Sequence, residues 1–244
     1  MMLLVAVVLC LLDAREVMGI NVWVKPMKFM ASITIYLATV AWLIGYLERP
    51  RWTVRTIAWG VSACMVVETT LIFLQAGRGV RSHFNDASPF DTAIFGIMGI
   101  GVVIDSLLMF LMLVLFFCRH ERLPTPYLWG IRLGIVLFLA GGIIGGGMSS
   151  HGGHTVGSSD GGTGLPFLNW SLTAGDLRIA HALGLHGLQV MPILGYLLSM
   201  RWNSKLGSVA SIAIIMTVAV LYGIMILGAY LQAMGGISIT ALWT

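Results

Sequence analysis

Glu68, Asp105, His186 and Gln189 stand near the middle of long apolar runs. Burying a polar group in hydrocarbon is costly, so such residues mark candidate function. At 1.5 Å per residue, Glu68 and His186 lie roughly 15 Å from one end of their helices, and Asp105 roughly 20 Å. That depth lets them meet in one bundle interior. At 100° per residue Cys64, Glu68 and Gln75 share an arc of roughly 40°, and Arg178, His181, His186 and Gln189 one of roughly 140°. Glu68 and Asp105 are the catalytic candidates, as groups that carry or balance protons. The plain alternative is a hydrogen-bond network that pins helices together.

The stretch Arg178-Ile-Ala-His181-Ala-Leu-Gly184-Leu-His186-Gly187-Leu-Gln189 invites a cofactor reading. Chelating pairs on one helix usually use i, i+4 spacing. Five residues set the His181 and His186 rings roughly 140° and 7.5 Å apart, too far to share one small ion. Either could ligate a cofactor. Gly184 and Gly187 leave surface beside them for a planar macrocycle or for a close helix contact. His83, in Arg78-Gly-Val-Arg81-Ser-His83-Phe-Asn, falls on the same side and could approach either ring. Bis-His ligation from two segments is a recognised way to hold b-type haem. Arg78, Arg81 and Arg178 could then position anionic groups such as propionates or lipid phosphates. Gln189 completes the cofactor set.

A second candidate is His151-Gly-Gly-His154, with Asp160 six residues on. A His-x-x-His pair with a nearby carboxylate could bind Zn²⁺ or Cu²⁺. The surrounding glycines and serines also fit a solvated loop. His120 reads as a loop residue on the opposite side.

Elements that would position these groups follow from composition. The 244 residues are 58% hydrophobic and 10% charged, against about 25% charged in a soluble domain. That excludes an ordinary soluble enzyme and a disordered chain. Six apolar runs are long enough to span, at 28–48, 54–76, 90–118, 127–148, 174–200 and 207–233. Residues 1–12 form a shorter apolar stretch without the basic start and small-residue cleavage site of a signal peptide. The expected fold is all-α: one polytopic transmembrane helix bundle over 1–244, with seven spans, or six if 1–12 does not span. A Gly/Ser/His-rich outer loop covers 149–172. Ser88-Pro89-Phe90-Asp91 reads as the N-cap of helix four, and Thr173-Ala-Gly-Asp176 as a capping box for helix six. Gly141, Gly142, Gly145, Gly146 and Gly147 read as the end of helix five.

Sidedness rests on loop Lys and Arg. Arg49, Arg51, Arg55, Arg119, Arg122, Arg132, Arg201 and Lys205 fall on one side, and Arg15, Lys25, Lys28, Arg78, Arg81 and Arg178 on the other. The narrow majority places the first side in the cytoplasm. Lys25 and Lys28 read as interfacial anchors that could also neutralise the outer acidic groups. The net charge of +4 is scattered, with no basic stripe interleaved with aromatics, so nucleic acid is excluded as a partner. The three cysteines, Cys10, Cys64 and Cys118, form no Cys-x-x-Cys pair and read as apolar packing.

Three stretches, Trp23-Val-Lys25-Pro26-Met-Lys28-Phe29, Gln75-Ala-Gly-Arg78-Gly-Val-Arg81-Ser-His83-Phe-Asn85 and Gly175-Asp-Leu-Arg178-Ile-Ala-His181-Ala-Leu-Gly-Leu-His186-Gly-Leu-Gln189, resemble a group of uncharacterised bacterial multipass membrane proteins. The resemblance covers most of the chain. It implies a bacterial inner-membrane location and carries no activity, so it adds no catalytic residues. A retinal protein needs a Lys in its last span, and Leu206 to Met234 has none. Ceramidase-type zinc hydrolases use His-x-x-x-His, a spacing not found here.

The expectation is a bundle with a His-based site toward its outer face, holding haem b or a transition metal (Cu or Zn), for electron transfer or small-molecule redox chemistry. A proton- or cation-coupled transporter or channel using Glu68, Asp105 and His186 is the alternative. So is an accessory subunit of a larger complex. The expected partners are the lipid bilayer and a membrane-protein partner or second copy in a homo-oligomer.

Overall fold

The computed structural model describes residues 1–47, 51–118, 123–200 and 203–242. Arg49, Arg119, Arg122 and Arg201, on which the side assignment leans, lie outside the described residues, as do His120 and the side chain of Lys205.

The protein is a multipass membrane helix bundle. Its helices are α1 (Met2–Leu12), α2 (Val24–Ile44), α3 (Arg51–Arg78), α4 (Pro89–Cys118), α5 (Thr125–His151), α6 (Leu177–Met200) and α7 (Asn203–Met234). Six are long and apolar enough to cross a membrane. The eleven residues of α1 rise only about 16 Å, roughly half a hydrocarbon core. Helices adjacent in sequence pack together, and α5 also meets α7. Outward faces are apolar: Ile97, Ile100, Val103, Leu107 and Phe110 of α4 are all exposed. Their three- to four-residue spacing is a lipid-facing stripe.

The glycine run does not end α5. The helix continues to His151 and stops at Gly152, whose φ of 75° ends it in a left-handed cap. The glycines inside serve helix contact instead. A Cβ on Gly184 would lie 2.4 Å from the Gly141 Cα, and one on Gly130 would lie 2.5 Å from the Met191 carbonyl oxygen. Backbones that close need small residues. The surface beside Gly184 and Gly187 is therefore filled by α5, Gly187 meeting Leu137. It is not open to a macrocycle.

Helix four opens as expected: the Asp91 N–H donates to Ser88 Oγ at 3.2 Å, and Ser88 Oγ donates back to Asp91 Oδ2 at 2.6 Å. Helix six does not. Its cap is Asp176, whose Oδ1 accepts the Arg178 N–H at 3.0 Å, because Gly175–Asp176 is held as strand β4 against β3 (Thr155–Val156).

The connections divide the bundle into two ends. One end carries the long connections and is the end that the charge count assigns outward. A hairpin of β1 (Glu16–Val17) and β2 (Ile20–Asn21) turns through Met18 and Gly19, both at positive φ, the geometry of a tight two-residue turn. Segment 152–176 lies across this end. The Lys28 Nζ donates to the Leu168 carbonyl at 3.0 Å, Thr240 Oγ1 to the Leu172 carbonyl at 2.9 Å, and Gly19 packs on Gly161. The non-glycine residues with positive φ among the described residues, Met18, Phe84, Phe167 and Asn169, all lie here. Such strain persists only where surrounding contacts fix it.

Candidate functional site

Glu68 sits on the buried face of α3 with Met65, Ile72 and Gln75. It is 5% exposed. Its partner comes from the connection between α3 and α4, which folds back into the bundle. There His83 Nε2 lies 3.4 Å from Glu68 Oε1. On the other side of the ring, His83 Nδ1 lies 3.2 Å from Lys25 Nζ and 3.2 Å from Ser82 Oγ. An ammonium can only donate, so Nδ1 accepts and Nε2 carries the hydrogen toward Glu68. The result is a chain from the head of α2, through the loop, to the buried face of α3. Phe29, Phe84 and Phe95 surround the ring with centroids 5.6, 6.1 and 6.0 Å away. Burial, followed by the Lys25 charge, pushes the His83 pKa down to about 4, against the pull of Glu68. The ring is therefore neutral at pH 7.

A second cluster lies above it. Asp160 accepts from the Thr155 N–H at 2.9 Å, meets Arg81 at 3.3 Å and stands 3.2 Å from His154 Nδ1. His154 also faces Asp176 at 4.0 Å, and Asp176 pairs with Arg178 at 2.6 Å. Arg178 reaches on to the Asn169 carbonyl. Burial, and then the Arg178 charge, lower the His154 pKa to about 4 despite the two carboxylates. Burial pushes the Asp176 carboxyl up, but the hydrogen bonds and charge of Arg178 outweigh it and the net shift is down.

The remaining expected residues fall into separate places. Asp105 does not meet Glu68. It takes the Tyr36 hydroxyl at 2.8 and 3.0 Å, and the Tyr36 ring stacks on Phe138 at 5.3 Å. Arg78 pairs with Asp91 and Gln75, tying the end of α3 to the start of α4. Each of the three arginines thus already holds a carboxylate of this chain. The His181 Nδ1 lies 2.7 Å from the Gly141 carbonyl, donating to it, with its ring against Gly145. His186 is exposed, and its Nδ1 contacts Gln189 Oε1 at 3.3 Å; Gln189 reaches Thr39 of α2 at 3.2 Å. His151 is the exposed last residue of α5, while His154 is turned inward to Asp160. Among the described residues no group of three or more His, Cys, Asp or Glu side chains converges in a metal-holding arrangement.

A bis-His haem site does not fit this geometry on the His83 side, because both nitrogens of His83 are engaged. Sequence reasoning missed Tyr36 and Ser82, and read Lys25 as an interfacial anchor and a counter-charge to the outer acidic groups, not as a partner of His83. A signal for Lys25 was available. Lys25 and Lys28 lie in the opening turns of α2, which has no acidic residue in its first turn. Cations are disfavoured at the positive end of a helix dipole, and a broken local rule marks a site. No protein-family model, curated protein or solved structure matches the chain.

Proposed function

We propose that this membrane bundle is a proton-coupled transporter or channel, in which Glu68, His83 and Lys25 pass protons at the loop-rich end. One observation carries the reading: the continuous Lys25–His83–Glu68 chain links the head of α2 to a carboxylate buried on α3. A neutral imidazole donates from one nitrogen and accepts on the other, so it can relay a proton between groups on its two sides. Glu68 is the terminal acceptor, and Lys25 the donor nearest the connecting loops. Asp105, held by Tyr36, stands outside this chain.

The test is reconstitution into vesicles with an internal pH dye and an imposed pH gradient. The protein is expected to dissipate the gradient faster than empty vesicles. Glu68→Gln and His83→Ala are expected to return the rate to that of empty vesicles. Unchanged flux in both variants, or no flux above empty vesicles, overturns the reading.

A second reading is favoured by His181 alone. Its Nδ1–H is oriented by the Gly141 carbonyl, and its Nε2 makes no hydrogen bond among the described residues. A backbone carbonyl that takes one ring N–H and so aims the other nitrogen outward is the usual support of a ligating histidine. Haem b, copper or zinc would then be held by His181 Nε2 and supply redox or Lewis-acid chemistry. An absorption spectrum of the purified protein, oxidised and then reduced, separates the readings. A Soret band that survives His83→Ala and disappears in His181→Ala favours the cofactor; a featureless spectrum removes haem.

A further inference from the structure

We infer that the loop-rich end holds a binding site for a small oxyanion, a carboxylate or phosphate group, between Lys25, Lys28 and Arg81 beneath segment 152–176. Arg178 is matched by Asp176, Arg81 by Asp160, and Glu68 faces His83. Lys25 and Lys28 have no carboxylate within ion-pair distance among the described residues. Their hydrogen-bond partners are neutral: the His83 ring for Lys25 and the Leu168 carbonyl for Lys28. Both lysines are half-buried. One carboxylate, Glu68, and three cations, Lys28, Arg178 and Arg81, act on Lys25.

Arg81 supplies an independent observation. Its Nε is buried and makes no hydrogen bond, while its terminal nitrogen is spent on Asp160. A buried guanidinium donor without an acceptor is costly. Like charges gathered in a partly desolvated place repel each other more strongly than in water. An oxyanion resolves both at once. It offers several acceptor lone pairs to the two ammonium groups and to the guanidinium edge, and it neutralises the excess charge. Neither lysine is fully buried, and the Lys28 head lies at the Leu168 carbonyl, under segment 152–176. The oxyanion could be a soluble anion or the phosphate of a lipid headgroup; the chemistry is shared.

The test uses the full-length protein purified in detergent and titrated calorimetrically at constant ionic strength. The probes are sodium acetate, inorganic phosphate and a short-chain phosphatidylglycerol. Saturable binding of acetate or phosphate, weakened about tenfold or more in Lys28→Met and Arg81→Gln but unchanged in Arg55→Gln at the opposite end, supports a soluble anion. The same pattern with phosphatidylglycerol alone supports a headgroup. Lys28→Arg keeps the charge and is expected to retain binding, which separates a lost ligand contact from a misfolded variant. Absence of saturable binding by all three probes, or equal binding in every variant, overturns the inference. The site stands apart from the proton reading: Glu68→Gln removes proton flux in that reading, yet takes away a negative charge beside the lysines and is expected to keep or tighten anion binding.

Discussion

Along the seam between α5 and α6 the chain buries backbone against backbone. Gly130, Gly134, Gly141, Gly184, Gly187 and Gly195 bring the two helices to contact distance, and His181 Nδ1 donates across the seam to the Gly141 carbonyl. Around Glu68 the chain does the reverse. It folds a loop inward, places a neutral histidine between a carboxylate and an ammonium, and leaves two lysines with no carboxylate within ion-pair distance among the described residues. Two of the buried carboxylates, Asp105 and Glu68, show the same contrast. Asp105 is answered by one hydroxyl from a ring stacked in the core; Glu68 opens onto a chain that leads to the surface layer. Depth in the bundle therefore does not define a site. Connection does.

The largest effect is expected where the seam is broken. Gly184→Val places a side chain against the α5 backbone, which has no flexible end to yield, and should cost about 3 kcal/mol or more of stability. Thermal unfolding in detergent would read it, and an unchanged midpoint would show that the seam can open. The same substitution at Gly96, where a Cβ would meet nothing within 4 Å, should cost far less.

A smaller effect sharpens the contrast between the carboxylates. Tyr36→Phe removes the only hydroxyl bonded to Asp105 among the described residues and should destabilise by about 1–3 kcal/mol. Asp105→Asn, which keeps a polar partner for Tyr36, should cost less than Tyr36→Phe and leave the vesicle flux intact. Loss of flux in Asp105→Asn would join the two carboxylates in one pathway and erase the distinction.

Acidification tests the surface layer. His83 and His154 are held neutral with pKa values near 4, against an ordinary 6.5. An opened state takes up these protons from pH 6.5 downward and the closed state does not. Closed-state stability is therefore full above pH 6.5 and declines as pH falls toward 4. Asp176, lowered from 3.8, adds its loss only below that window. Hydrogen-exchange protection of segment 152–176, corrected for the intrinsic pH dependence of exchange, should fall between pH 6.5 and 4, and His154→Gln should flatten the fall. Rising protection on acidification would reverse the assignment.

The smallest effect lies at the far end. Arg132 donates to the Phe116 carbonyl at 2.7 and 3.0 Å and lies over Phe117 and Trp129. Arg132→Gln should lower stability by about 1 kcal/mol and change neither flux nor anion binding.

Much of this was legible along the chain. Runs of apolar residues set six long helices, because the cost of burying unpaired backbone in hydrocarbon leaves a continuous apolar stretch little choice but helix. Ser88 and Asp91 announced their own cap, since that cap is a contact between residues three apart. Glu68, His83, Arg81 and Arg178 stood out by type and position. What misled was equally local. The glycines of α5 read as a helix end, because a lone sequence does not show that α6 lies against them. Thr173 read as a cap, because the pairing of Gly175–Asp176 with Thr155–Val156 is set by residues twenty positions away.

The sequence alone thus determined that this is a membrane bundle, where its long helices lie, and which polar residues are costly enough to matter. Hydropathy and helical period are sums over neighbours, so they need no third dimension. The partners came from folding in three dimensions: His83 with Glu68 and Lys25 and not with a second histidine ligand, Asp105 with Tyr36, Asp160 with Arg81 and His154. Those pairings depend on how a ten-residue loop folds back and how glycine lets two helices touch. Both are long-range balances of burial and hydrogen bonding that leave no periodic mark on the chain.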